Sequence, residues 1–288
     1  MSTTTIEGFV DVSGATLFYR ARGVGPILLT LQGGAGDADG SDALAEALAD
    51  RYTVVAYDRR GLSRSRIIDP GQPVSIQTHG DDVHRLLAAL TSEPAFVFGS
   101  SLGALIGLDL VTTHPDQVRV LVAHEAALAA LVDEPERSRM EATQRDVEET
   151  FQRDGLLPAM RKLMAIAGGF GDDPEPEVDR PTLSADRAAT HAANMQFFLA
   201  HDAPKAHRYT LDLAALGAAS SAVVPAGGIL SRGSFPYRCA QALADRLGRP
   251  LAEFPGGHAG YAQRPRAFGA ALHETLTCTT ASATGSTS

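Results

Sequence analysis

The stretch FGSSLGA, residues 98–104, sets two adjacent serines between glycines, after the apolar run PAFVF and before the apolar run ALIGLDLV. A serine hydroxyl is a weak nucleophile at neutral pH and needs a base to take its proton as it attacks. A sharp turn from strand to helix exposes the hydroxyl and aims the helix N-terminus at the reacting oxygen. Such a turn strains the backbone at the serine, so the residues two before and two after it must be small. Gly99-Ser100-Ser101-Leu102-Gly103 meets that demand with Ser101 at the apex and Ser100 as the variable neighbour. The plainer reading is a helix start, since Ser is a good N-cap. A general base belongs in a loop that can reach back over the sheet, and His258 in FPGGHAGY stands in a glycine-flanked loop after a strand candidate. Of the nine histidines, others such as His84, His114, His201 and His273 fall in helical or helix-end contexts. The loop LTLQGGAGDADG offers backbone N–H groups: those of Gly34 or Gly33, with that of Leu102, would form an oxyanion hole. It lacks the lysine of a P-loop and the spacing of a dinucleotide fingerprint. Asp58 in YDRRGLSRS ends a strand before a tight turn and is structural, satisfying turn amides.

These residues need elements to hold them. GFVDVS and ATLFYRAR flank a Ser-Gly turn and read as an antiparallel hairpin. Then strand and helix candidates alternate: PILLTL, SDALAEALADR, YTVVAYD, SIQTHGDDVHRLLAAL, PAFVFGS and, sixth among the strands, RVLVAHE. Strands without polar alternation need cover on both faces, so a mostly parallel, doubly wound α/β sheet is expected. The pattern breaks from 126 to 211, where ERSRMEATQRDVEETFQRDG and AATHAANMQFFLA are helical and GGFGDDPEPEVDRP separates them; this is an insertion, read as a lid. It resumes with SAVVPAG, PYRCAQALADRLG, PLAEFP and PRAFGAALHETL. The organisation expected is therefore a core of 1–125 and 212–275, a helical lid of 126–211 and a disordered polar tail of 276–288.

In order along the chain, QGGAGD, YDRRGLSRS, GSSLGA and PGGHAGY, with helices inserted after the sixth strand, resemble the α/β-hydrolase superfamily across residues 8–275. The resemblance implies a Ser101 nucleophile, a His258 base, and an oxyanion hole from the amides of Leu102 and Gly34. Two positions depart from the family. Gln32 stands where a histidine usually precedes the loop glycines, and Leu230 in VVPAGGILSRGSF stands where the triad acid belongs. Some members draw the acid from the end of the sixth strand, which makes Glu125 the leading candidate and Asp212 the weaker one.

The function expected is hydrolysis of a small carboxylic ester, lactone or thioester through an acyl-enzyme on Ser101. The missing acid at Leu230 motivates an alternative, a cofactor-independent lyase or cyclase, and a non-catalytic ligand-binding protein is the third reading. Met and Phe residues in MRKLMAIAGGF and NMQFFLA point to a mainly apolar pocket under the lid. Arg60, Arg64 and Arg232 are candidates to hold a substrate anion, weighed against solvated surface arginines. No metal-ligand spacing or cofactor motif is present, and Cys239 and Cys278 suggest no disulfide framework. A net charge of -9 disfavours nucleic acid and anionic membranes as partners. Lacking a secretory signal, the chain is expected in the cytoplasm, with a homodimer left open.

Overall fold

Apolar runs too short for helices and too continuous for a half-exposed sheet become the middle of the structure, a computed structural model that describes residues 4–166, 173–178 and 183–285. The chain begins with β1 (Thr5–Val12) and β2 (Ala15–Gly23), joined at Gly14, whose φ of 70° a side chain would resist. Next come β3 (Ile27–Leu31), α1 (Asp42–Leu48), β4 (Thr53–Tyr57) and the two-residue β5 (Arg66–Ile67). Then follow α2 (Ile76–Leu90), β6 (Ala95–Ser100), α3 (Leu102–Thr113) and β7 (Val118–His124). Among the described residues one sheet of nine strands forms, in the order β1-β2-β4-β3-β6-β7-β8-β9 with β5 on β2. Pairing is antiparallel around β2 and parallel from β4 through β9. β5 was not expected from the sequence, because two residues leave no periodicity to read.

Strand alternation sorts the core. Leu29, Leu31, Val97 and Leu121 pack on one face with α2 and α3, while Leu28, Phe96, Phe98 and Val122 pack on the other with α1 and the last helix. Both faces are covered, as a doubly wound sheet requires.

After His124 the chain leaves the sheet and returns at Val223. Between them lie α4 (Glu136–Asp154), α5 (Leu156–Ile166), α6 (Ala185–Phe197), a π turn over Phe198–Asp202, α7 (Ala203–His207) and α8 (Leu213–Ala218). Parts of MRKLMAIAGGF and GGFGDDPEPEVDRP fall outside the described residues. The chain closes with β8 (Val223–Gly228), α9 (Phe235–Leu247), β9 (Ala252–Phe254), α10 (Gly260–Gln263) and α11 (Pro265–Gly285). α11 corrects the expected tail over 276–285, while 286–288 lie outside the described residues. Leu276 is fully buried against the sheet, and the hydroxyls of Thr275, Thr277 and Thr279 donate to carbonyls one turn back, so a small polar sequence continues as helix to Gly285. No helix among the described residues is long and apolar enough to cross a membrane.

Candidate active site

The nucleophile candidate stands on a forced backbone. Ser101 lies between β6 and α3 with φ 56° and ψ −118°, a conformation that L-residues rarely adopt. Glycines make the turn sterically feasible: a Cβ on Gly103 would lie 1.9 Å from the Leu31 carbonyl oxygen, and one on Gly99 would lie 2.5 Å from the Gly103 carbonyl oxygen. The Ser101 N–H donates to the His124 carbonyl at 2.9 Å, which ties the apex to the neighbouring strand. Leu102 opens α3, so its N–H is among the orphan donors of a helix start.

Across from it runs the glycine loop after β3. A Cβ on Gly33 would lie 2.9 Å from Ser101 Cβ, so the loop passes directly over the serine. Gly34 adopts φ 40°, with open space around its Cα. The loop is pinned from behind by Arg59, which donates to the carbonyls of Gln32, at 3.0 Å, and Gly34. Arg59 is in turn held by Asp202 of the π turn at 3.0 Å, and Asp202 also faces His79 Nε2 at 3.0 Å. Burial would raise the Asp202 pKa, but His79 and Arg59 outweigh it and hold the carboxyl below its usual range. Gln32, at the position of the family's histidine, accepts a hydrogen bond from the Tyr261 hydroxyl at 2.9 Å and donates to Ser41, so the side chain braces the loop.

His258 follows β9 and is nearly buried. Its Nδ1 lies 2.5 Å from Glu125 Oε2. The other carboxylate oxygen accepts from the Gly228 N–H at 2.8 Å and from the Ser231 hydroxyl. Glu125 is fully buried, at the end of β7, with φ 52°. Burial alone would raise its pKa, yet the hydrogen bond with His258, the nearby His124 and His258, and Ser231 together lower it to about 2. His124, one residue earlier, is fully buried among Phe98, Phe254 and Phe268, and burial pushes its pKa down to about 4, so it is neutral near pH 7.

Of the expected site residues, Ser101, Leu102, Gly33, Gly34, His258 and Glu125 converge. Leu230 instead lies exposed in a turn after β8. Asp212 does not join them: its carboxylate accepts from the N–H groups of Ala214 and Ala215 and caps α8. The arginines also differ from expectation. Arg60 is fully buried in a bidentate pair with Asp82 at 2.6 and 2.7 Å, so it is neither a surface group nor an anion holder. Arg64 is engaged by Asp58 and stacks on Phe18, and Arg232 is engaged by Glu253. Asp58 accepts from the N–H groups of Ala38 and Arg64, the structural role expected of it. Sequence reasoning missed Arg59, Asp202 and Ser231, whose roles depend on contacts from distant parts of the chain. Of the three, only Arg59 left a visible trace, in the adjacent arginines of YDRRG.

Two chambers meet at Ser101 and His258. The larger, about 490 Å3, is bordered by the 32–37 loop, Met160, Met195, Phe198 and Tyr261, and opens at the exposed His191 and Ala262. The smaller, about 70 Å3, is walled by Leu102, Leu105, Phe198, Ala206 and Phe235, with Gln144 and His207 at one side. Their walls are mainly apolar, and the insertion helices supply much of both.

Residues 26–206 match a family model described as the alpha/beta hydrolase fold. The chain is 40% identical over 277 residues to an uncharacterized hydrolase, YraK, of Bacillus subtilis, covering 95% of this chain and 97% of that one. Among solved structures, an esterase from Thermogutta terrifontis superposes with a TM-score of 0.71 at 19% identity, covering 97% of this chain and 99% of that one. Est816, described as an N-acyl homoserine lactone degrading enzyme, superposes with a TM-score of 0.68 at 21% identity, covering 93% and 99%. At those identities the superpositions speak for the fold, whereas the long match to YraK and the family model speak for descent. The chain belongs to the alpha/beta hydrolase family and is a hydrolase.

Proposed function

We propose that the protein is a serine hydrolase that cleaves a small, mainly apolar carboxylic ester, lactone or thioester through an acyl-enzyme on Ser101. The observation that carries this reading is the buried pair of Glu125 and His258, 2.5 Å apart, in a site that His258 shares with a serine held at φ 56°. Glu125 fixes the imidazole tautomer with the proton on Nδ1, which leaves Nε2 to take the Ser101 proton. The Ser101 oxygen attacks the carbonyl carbon, and the developing oxyanion is met by the N–H groups of Leu102 and of Gly34 or Gly33. The histidine returns its proton to the departing oxygen or sulfur. Water, activated by the same histidine, then cleaves the acyl-serine bond and releases the acid. The insertion helices act as the lid over both chambers, excluding bulk water and selecting apolar substrates.

The lyase reading rested on Leu230 standing in place of the acid, and with Glu125 hydrogen-bonded to His258 that departure no longer favours it. Incubation with a fluorophosphonate followed by intact-mass measurement tests the proposal. A single rapid addition to the parent, none to Ser101→Ala, and a loss of ester turnover on the order of 10⁴-fold or more in the variant are expected. An unlabelled, folded parent, or a Ser101→Ala variant with undiminished turnover, contradicts it.

A further inference from the structure

Gln144 lies on the buried face of α4, 4% exposed, and forms part of the wall of the small chamber beside Ser101. Its Oε1 is buried and has no hydrogen-bond partner among the described residues. A buried polar atom left unpaired is costly, so a site that keeps one in a mainly apolar wall calls for an explanation. Most of that wall is apolar, with Leu102, Leu105, Ala206 and Phe235 offering such an atom no partner; of its other polar members, Ser101 and His258 belong to the proposed reaction centre and His207 Nδ1 faces Glu148 at 3.1 Å. The missing partner is naturally supplied by a ligand, and the broad terminal torsion of glutamine lets the amide swing to meet it.

The two chambers divide the substrate between them. The larger opens at exposed residues, giving a departing alcohol or thiol a way out after acylation. Every residue lining the smaller is buried or half-buried, which suits the part that stays covalently attached to Ser101. Its volume of about 70 Å3 admits a chain of only a few carbon atoms.

We propose that the small chamber is the acyl subsite and that Gln144 selects a short acyl group carrying a hydroxyl or amide N–H near its end. This deepens the acyl-enzyme reading of Ser101 and rests on it. Sites built to hydrogen-bond a substrate group discriminate strongly against the analogue that lacks it, because the site's own polar atom is then left unpaired.

The test compares p-nitrophenyl 3-hydroxybutanoate with p-nitrophenyl butanoate, in the parent and in Gln144→Leu, with fluorophosphonate labelling of Ser101 measured alongside. The ratio of the two kcat/KM values removes any difference in intrinsic ester reactivity when it is compared between the proteins. The hydroxy ester is expected to lose at least about tenfold of its relative kcat/KM on going from parent to variant, the equivalent of one hydrogen bond. The melting temperature of Gln144→Leu is expected to hold or rise, since the substitution removes an unpaired buried oxygen. An unchanged ratio, or equal losses on both esters with a fall in melting temperature, overturns the assignment and leaves Gln144 a structural residue. Labelling of Ser101 without turnover of either ester also overturns it, because the chamber then rejects short acyl groups. Absence of labelling falls instead on the proposed nucleophile.

Discussion

The two halves of the proposed catalytic site are built by different physics. On the nucleophile side, the turn at Ser101, with Gly99 and Gly103, and the loop at Gly33 are placed by steric exclusion, packed where a single added carbon has no room. On the base side, His258 and Glu125 come from positions 133 residues apart and are placed by charge and hydrogen bonding in a dry interior. The first kind of construction should fail as a whole when disturbed. The second should fail by degrees and with pH.

The largest effect expected from that contrast is at Gly103. In Gly103→Ala the new carbon would meet the Leu31 carbonyl oxygen at 1.9 Å, and a main-chain atom cannot rotate away. The loss of stability should reach or exceed the upper end of the ~1–3 kcal/mol typical of overpacking, read as a lowered denaturation midpoint or failure to recover folded protein. A variant that melts with the parent would show that the turn is not sterically fixed.

A smaller, pH-dependent effect is expected on the base side. His124 has its pKa lowered to about 4 in the folded protein by burial, so between its ordinary value of about 6.5 and 4 the unfolded chain binds a proton that the folded chain refuses. Stability should therefore fall as pH drops through that window. Glu125 adds a second loss lower down: its folded pKa of about 2 lies below the ordinary value, so its contribution is present above about 4.5 and disappears as pH falls toward 2. Substituting His124→Phe, among Phe98, Phe254 and Phe268, removes the first loss. The drop in Tm between about pH 7 and about pH 5 should shrink by roughly 2–4 °C for each kcal/mol recovered. An unchanged drop would place the acid sensitivity elsewhere.

The same contrast governs what could be read from the sequence. The steric half is local: Gly99, Ser101 and Gly103 fall within five residues, and the glycine loop follows a strand directly, so both were legible. The order of strands and helices, β5 apart, was legible for the same reason. The base side was only partly so. His258 stood out by its glycine-flanked loop, but choosing Glu125 over Asp212 needed the resemblance as well as the residues, because a carboxylate that caps a helix and one that orients a histidine look alike in sequence. The partners of Arg59 and Arg60 and the place of Gln144 in the chamber wall were invisible, since each depends on elements packed together from distant segments. α11 was misjudged beyond 275 because small polar residues favour disorder in isolation, whereas Leu276 anchors the helix on the sheet.

The central claim is that Glu125 activates Ser101 through His258, and the rate of fluorophosphonate labelling of Ser101 tests it most directly. Glu125→Gln should slow labelling by two to four orders of magnitude, as expected when a triad histidine loses its orienting carboxylate. Asp212→Ala, which removes only a helix cap worth ~1 kcal/mol, should label within about twofold of the parent. Labelling of Glu125→Gln at the parent rate, or an equal slowing in Asp212→Ala, would contradict the account.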